Sequence, residues 1–268
     1  MAAPSGPPVN PDHAVKLAIE QAIISEKLCE LLAIPAGARV LDIGTAMGHS
    51  ALYASIAAGR RRARVTAVHT RPHVLERARQ RARVEALDDI EFMEADATAL
   101  PFDDGQFDYV LSTLGINFLP DQEAAAGVLA RMVRPGGVIG LIAFSRHSLP
   151  SRVYDMFGTL LPHIPRPPHH HYEWADGPRA GALLSPAFHD VKVMLDSYDS
   201  CFASTEEAFD RTSRWNPNME ALIERSPPEL VAKVREGYID IARSINQATD
   251  GTFMGRIPYG IVTAVRNF

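Results

Sequence analysis

The chain has 268 residues, 46% hydrophobic and 22% charged, which is the balance of a folded globular protein long enough for one large α/β domain. A net charge of -5 removes any broad electrostatic reason to bind nucleic acid or an anionic membrane, and no apolar run approaches the roughly 20 residues that span a bilayer. Cys29 and Cys201 stand at no metal or redox spacing and both sit in apolar contexts, so two buried thiols are expected.

Met1 to Pro11 is rich in Pro, Ala and Gly and lacks the basic start and apolar core of a signal peptide. It reads as a flexible arm on a cytoplasmic protein whose residues 12–268 form a single domain. Asp12 is placed to cap a helix from about His13 to Ala33, along which Val15, Ile19, Ala22, Ile23, Leu28, Leu31 and Leu32 recur at helical spacing. Pro35 to Gly37 stop it. Arg39 to Ile43 is a short apolar run, readable as a buried strand, that leads into Gly44-Thr45-Ala46-Met47-Gly48 and an Ala-rich helix from about Ser50 to Ala58.

The alternation continues. Arg64 to His69 reads as a second strand, and Pro72 stands where a helix to about Ala86 begins. Ile90 to Ala95 is a third strand and Phe107 to Ser112 a fourth, followed by a helix from about Gln122 to Met132. Pro135-Gly136-Gly137 turns the chain into the most apolar strand, Val138 to Phe144. Five strands alternating with helices predict a doubly wound, mostly parallel α/β sheet, because parallel neighbours need crossover connections. Ligands of such sheets bind beyond the carboxyl ends of the strands. Here those ends are Asp42 to Gly48, His69 to Pro72, Ala95 to Ala97, Ser112 to Asn117 and Phe144 to His147.

From about Ser148 prolines at 162, 165, 167 and 168 interrupt the pattern around His169-His170-His171. Helices are expected near Ser204 to Trp215, Met219 to Ile223 and Pro228 to Asn246. Pro258 to Val265 reads as a last strand with Val191 to Asp196 as its partner. This predicts a C-terminal antiparallel strand pair at the sheet edge, with a helical cap over about residues 148–250.

Val40 to Gly48, an acid followed by spaced glycines, resembles the first motif of the class I S-adenosylmethionine (SAM) methyltransferases. Three further segments resemble the same Rossmann-like family in order and spacing. They are Glu94-Ala95-Asp96-Ala97, the connector Leu100 to Asp108, and Leu129 to Gly137, the turn into strand five of its ubiquinone/menaquinone methyltransferase-like, small-molecule branch. The resemblance covers about residues 30 to 146. It implies that Asp42, Gly44, Thr45 and Gly48 lie against the methionine and ribose portions of SAM, and that Asp96 with Ala97 meets the adenine. His69 falls at the ribose position and Ser112 at the end of the fourth strand.

Two positions depart from the family pattern. Ala46 replaces the middle glycine, which costs roughly 1–2 kcal/mol if the backbone there needs positive φ. His69 replaces the Asp or Glu whose two oxygens accept both ribose hydroxyl hydrogens; a neutral imidazole accepts one hydrogen bond. A nicotinamide site fits less well, since Gly44 and Gly48 do not make Gly-x-Gly-x-x-Gly and the acid after the second strand is absent.

Outside these motifs the signals are local. His147, just past strand five, has an imidazole suited to general base work and is the one catalytic candidate. His163, His169, His170 and His171 lie in a Pro-rich loop with no acidic or cysteine partner at ligand spacing, so a surface or pocket-lining loop is expected and no metal. Trp174 walls a pocket or packs, and the Arg60 to Arg62 run with Arg64 reads as a solvated loop. The function this predicts is SAM-dependent methyl transfer to a small-molecule acceptor, with no nucleic-acid or membrane partner and with a homo-oligomer compatible with the composition. The alternative is a methyltransferase-fold protein with a degenerate SAM site acting as a cyclase, isomerase or other non-methylating enzyme. A non-catalytic partner subunit is the third reading.

Overall fold

The computed structural model describes residues 11–59, 62–161, 170–215 and 217–268. The arm before residue 11, Arg60, Arg61, His163, His169 and the four prolines at 162, 165, 167 and 168 lie outside them. The chain divides into two compact units. Of the described residues, the larger comprises 21–59, 62–146, 170–196 and 259–268, and the smaller 11–20, 147–161, 197–215 and 217–258.

The larger unit carries the five expected strands: β1 (Arg39–Ile43), β2 (Arg64–His69), β3 (Ile90–Glu94), β4 (Phe107–Thr113) and β5 (Val133–Phe144). Between them run α2 (His49–Ala57), α3 (Pro72–Val84) and α4 (Gln122–Met132), after an opening α1 (Pro11–Leu32). The sheet is completed by β6 (Phe188–Phe202) and β7 (Phe253–Arg266), in the order β3-β2-β1-β4-β5-β7-β6. β1 pairs parallel with β2 and β4, β2 with β3 and β4 with β5, whereas β7 pairs antiparallel with β5. The strand order reverses between β1 and β4, and a crevice at such a reversal is where doubly wound sheets take ligands.

Alternation along each strand sends side chains to opposite faces. Val40 packs in one buried cluster with Ala51, Leu52, Leu75 and Ala78 of α2 and α3. Leu41 and Ile43 pack in a second cluster with Ala125 and Leu129 of α4. Helices therefore cover both faces, as the apolar strands require.

Several boundaries differ from expectation. β5 begins at Val133, so Pro135 to Gly137 form an irregular stretch within the strand, where its register with β4 jumps between Phe107 and Tyr109. β6 and β7 are longer than the sequence pattern showed. α5 (Leu149–Leu160) and α6 (Gly177–Leu184) were not expected. Each starts on a side-chain cap, Ser148 accepting from Ser151 N and Asp176 from Arg179 N, with a proline in its first turn. Cys29 is buried as expected, but Cys201 is exposed on β6.

The smaller unit collects α5, α7 (Thr205–Trp215), α8 (Pro217–Arg225) and α9 (Pro228–Ile245). α9 buries Val234, Tyr238, Ile239 and Ala242 on one face and packs against α5 and α7. Its Gly237 admits the Met156 sulfur so closely that a Cβ there would lie 2.5 Å from it. Among the described residues no helix is long and apolar enough to cross a membrane.

Candidate functional site

A cavity of about 250 Å3 opens at the carboxyl ends of β1 to β4, wholly within the larger unit. Gly44 and Ala46 line it from the loop after β1, His69 and Thr70 from the end of β2, and Ala95 and Ala97 from the end of β3. The segment after β4 supplies Thr113 to Ile116 with Phe118 and Leu119, and α1 supplies Gln21.

The loops after β1 and β4 meet back to back. A Cβ on Gly44 would lie 3.0 Å from Gly115 Cα, and one on Gly115 would lie 2.7 Å from both the Ile43 carbonyl oxygen and Ser112 Oγ. Gly44 also has φ +76, so both space and conformation call for glycine there. Ala46 sits at φ 46, the left-handed region in which an alanine methyl is strained, and so does Leu114 at φ 55. Strain of this kind is held in place by the surrounding structure and gathers at ligand sites.

Of the residues the sequence pointed to, Gly44, His69 and Ala97 reach the cavity wall. The others do not, each for a physical reason. Asp42 is completely buried, with Oδ2 accepting 2.7 Å from Ser50 Oγ. Burial pushes its carboxyl up to about 6, against the pull of the Thr45 and Ser50 hydroxyls and the Ala51 backbone. Thr45 is buried beside it. Gly48, at φ 84, caps α2 and lets α3 approach, since a Cβ there would lie 2.9 Å from Ala78 Cβ. Ser112 is a buried cross-link: its Oγ donates to Ile43 O at 2.7 Å and accepts from Ile116 N at 2.8 Å. It fixes the segment after β4 onto β1 instead of facing a ligand.

Asp96 is exposed at the rim, where its Oδ1 accepts from Thr98 N (2.8 Å) and Thr98 Oγ1 (2.7 Å), holding its pKa below the usual carboxylate range. These bonds fix the carboxylate and leave Oδ2 outside them. His69 is tied by its Nδ1, which accepts the Arg71 backbone N–H at 3.0 Å. Burial, with the charges of Arg71 and His73, lowers its pKa to about 4, so the ring is neutral at pH 7. The acceptor nitrogen of this imidazole is therefore occupied by Arg71 N–H. His147 is exposed in the turn before α5 and belongs to the smaller unit.

The histidine run also differs from expectation. His171 is 6% exposed and stacks with ring centroids 4.8 Å apart on Phe118, which lines the cavity, so of the two placements expected for the run it departs from the surface one. Trp174 is fully buried and its indole N–H donates to Gln122 Oε1. Gln122 Nε2 in turn donates to Asn117 O (3.1 Å) and Leu119 O (2.5 Å), so this network holds the cavity-lining segment 116–119 from behind. Sequence reasoning included Leu114 and Gly115 in the strand end Ser112 to Asn117 without giving either a role, and placed Gln122 only as the start of a helix. Among the described residues no cluster of three His, Cys, Asp or Glu could hold a metal.

A family profile described as a methyltransferase domain matches residues 41–141, which contain most of this wall. An uncharacterised protein of Mycobacterium tuberculosis is 35% identical over 154 residues, 58% of this chain and 53% of that protein. A demethylmenaquinone methyltransferase of Thermus thermophilus is 37% identical over 131 residues, 47% of this chain and 57% of that protein. The chain thus spans about half the length of these relatives. Among solved structures, the YcgJ protein of Bacillus subtilis superposes with a TM-score of 0.58 at 16% identity, covering 92% of this chain and 99% of that one. A phosphoethanolamine N-methyltransferase of Haemonchus contortus, solved with S-adenosyl-L-methionine, superposes at 0.54 and 17% identity, covering 93% and 53%. At these identities the structures speak for the fold. Residues 41–141 thus resemble a methyltransferase domain, and the sheet that carries them has the fold of these solved structures.

Proposed function

We propose that this chain transfers the methyl group of SAM to a small-molecule acceptor. The observation that carries the reading is the cavity at the β1/β4 reversal, where Gly44 and Gly115 bring two backbones together and Ala97 and His69 form the neighbouring wall. The residues fit a SAM-like group on two grounds. Glycines keep a side chain out of the crevice, and a buried polar atom on its wall, Thr113 Oγ1, lacks a partner among the described residues. Such an orphan in a native fold points to a water or ligand that completes it.

In this reading Asp96 Oδ2 and the Ala97 backbone hold the adenine, His69 meets the ribose, and Gly44 with the segment after β4 borders the methionine portion. When bound, SAM supplies a methyl already activated by its sulfonium. The protein's part is to orient the acceptor and exclude water from it. The described lining residues include no Asp, Glu, Lys or Arg, which suits a neutral or modestly polar acceptor whose own nucleophilic atom does the chemistry. The test is titration calorimetry with SAM and S-adenosylhomocysteine, then incubation with methyl-labelled SAM and a panel of phenolic and other small hydrophobic acceptors. Micromolar binding with label in an acceptor supports the reading. Binding with no label transferred to any acceptor favours the second reading, a non-methylating enzyme on the same fold, which the strained Ala46 and the occupied His69 Nδ1 support.

A further inference from the structure

His69 ends β2 and lines the cavity. A neutral imidazole has one acceptor and one donor nitrogen. Because Nδ1 accepts the Arg71 N–H, the ring is the form protonated on Nε2, and the polar ring atom left over is a donor. The surroundings have the same sense. Among the described residues Arg71 forms no ion pair and no acidic residue lines the cavity, while the charges of Arg71 and His73 act on the ring. Glu94, in register with His69 on β3, and Asp96 are both exposed and outside the lining.

We propose that the β2 edge of this cavity reads hydrogen-bond acceptors: His69 Nε2–H donates to a ribose oxygen of the bound nucleoside, in place of a carboxylate accepting from both ribose hydroxyls. The inference rests on the SAM reading above. A carboxylate needs the hydroxyl hydrogens, whereas a donor needs only the oxygen. Replacing a hydroxyl hydrogen by methyl or phosphate therefore leaves the His69 bond in place, and a phosphate adds charge beside Arg71. Thr70 and Arg71 are exposed, so this edge has room toward solvent. The specificity that follows is for a ribose whose edge presents acceptors, anionic ones included, without a requirement for a free diol.

The experiment titrates the full chain with S-adenosylhomocysteine and with its 2′-O-methyl, 3′-O-methyl, 2′-phospho and 3′-phospho derivatives. The native protein is expected to bind at least one substituted ligand as tightly as the parent, within about threefold. His69→Asp should lose about tenfold or more on the same ligand, since a carboxylate forfeits a charged hydrogen bond and repels phosphate. His69→Gln, whose carboxamide can accept from Arg71 and still donate, should keep the native ranking and serves as the folding control. Nitrogen NMR of His69 should show a ring protonated on Nε2 with and without ligand. A tenfold or greater loss on every substituted ligand by the native protein, or a ring protonated on Nδ1, overturns the inference while leaving the SAM reading intact. No binding of the parent ligand to any of the three proteins overturns both.

Discussion

A Cβ built on Gly115 would lie 2.7 Å from the carbonyl oxygen of Ile43, so the chain after β4 rests directly on the end of β1. Ser112 ties the same two places through its hydroxyl, which leaves the crossing little room to yield. Gly115→Ala is expected to destabilise the fold by about 1–3 kcal/mol, the usual penalty of overpacking, and to displace both cavity-lining loops. Denaturant unfolding should show a lower midpoint, and calorimetry should show S-adenosylhomocysteine affinity reduced at least tenfold. Unchanged stability and affinity would mean that the crossing is not a constraint.

Ala46 gives the opposite test at the same site. At φ 46 an alanine carries a steric cost that glycine does not, so Ala46→Gly should raise stability by about 1 kcal/mol. The methyl also lines the cavity, so the variant should bind S-adenosylhomocysteine at least as well as the native protein. A variant less stable than the native protein would show that the strained conformation carries no penalty here.

The core of the fold was legible because buried parallel strands are short apolar runs with punctuation around them. Arg39 to Ile43 and Arg64 to His69 coincide with β1 and β2. The ligand edge followed from topology, and Gly44, His69 and Ala97 do reach the cavity. What stayed hidden depends on tertiary contacts. Nothing local distinguishes Asp42, sealed under the wall by Ser50, from an acid that faces a ligand. Leu114 at positive φ is imposed by the crossing beneath it, since no leucine prefers that region. His171 reads as surface or pocket lining within a histidine run, and the stack on Phe118 explains its burial.

Asp42 makes a prediction about pH. Its carboxyl is raised from 3.8 to about 6 by burial, so between those values the folded chain holds a proton that the unfolded chain has released. The resulting stability is full below about pH 4 and is lost as pH rises through 6, a cost on the order of 3 kcal/mol for a fully buried group. Asp42→Asn keeps an oxygen for the Ser50 hydroxyl and should be about 1–2 kcal/mol more stable than the native protein at pH 7, after allowing for burial of the amide. At pH 4 the two should be close. Unfolding curves at both pH values decide it, and a difference that does not change with pH would remove the assignment.

Three histidines act in the reverse sense. Burial lowers His49 to about 3, with help from Arg81, and lowers His69 and His171 to about 4, with help from Arg71 and His73 and from His170. Between those values and 6.5 the unfolded chain binds protons that the fold refuses, so stability falls as pH falls through this window. Three such groups outweigh the single opposing carboxyl of Asp42, and the protein should lose stability on acidification from pH 6.5 to 4. His171→Phe retains the ring against Phe118 and should make that loss shallower. An identical pH slope in the variant would show that His171 is already protonated in the fold.

Trp174 connects packing to the site at longer range. Its indole N–H satisfies Gln122, and Gln122 in turn holds the carbonyls of Asn117 and Leu119 behind the cavity wall. Trp174→Phe removes that donor inside a buried cluster and leaves both a void and an unpaired amide oxygen. The two effects together should cost about 3 kcal/mol. If Gln122 then turns away from the 116–119 segment, affinity for S-adenosylhomocysteine should fall even where the protein is still fully folded. Gln122→Leu separates the contributions: it keeps the volume but removes both bonds to the segment. It should therefore reproduce the loss of affinity, and a Gln122→Leu protein that binds with native affinity would show that the network serves stability alone.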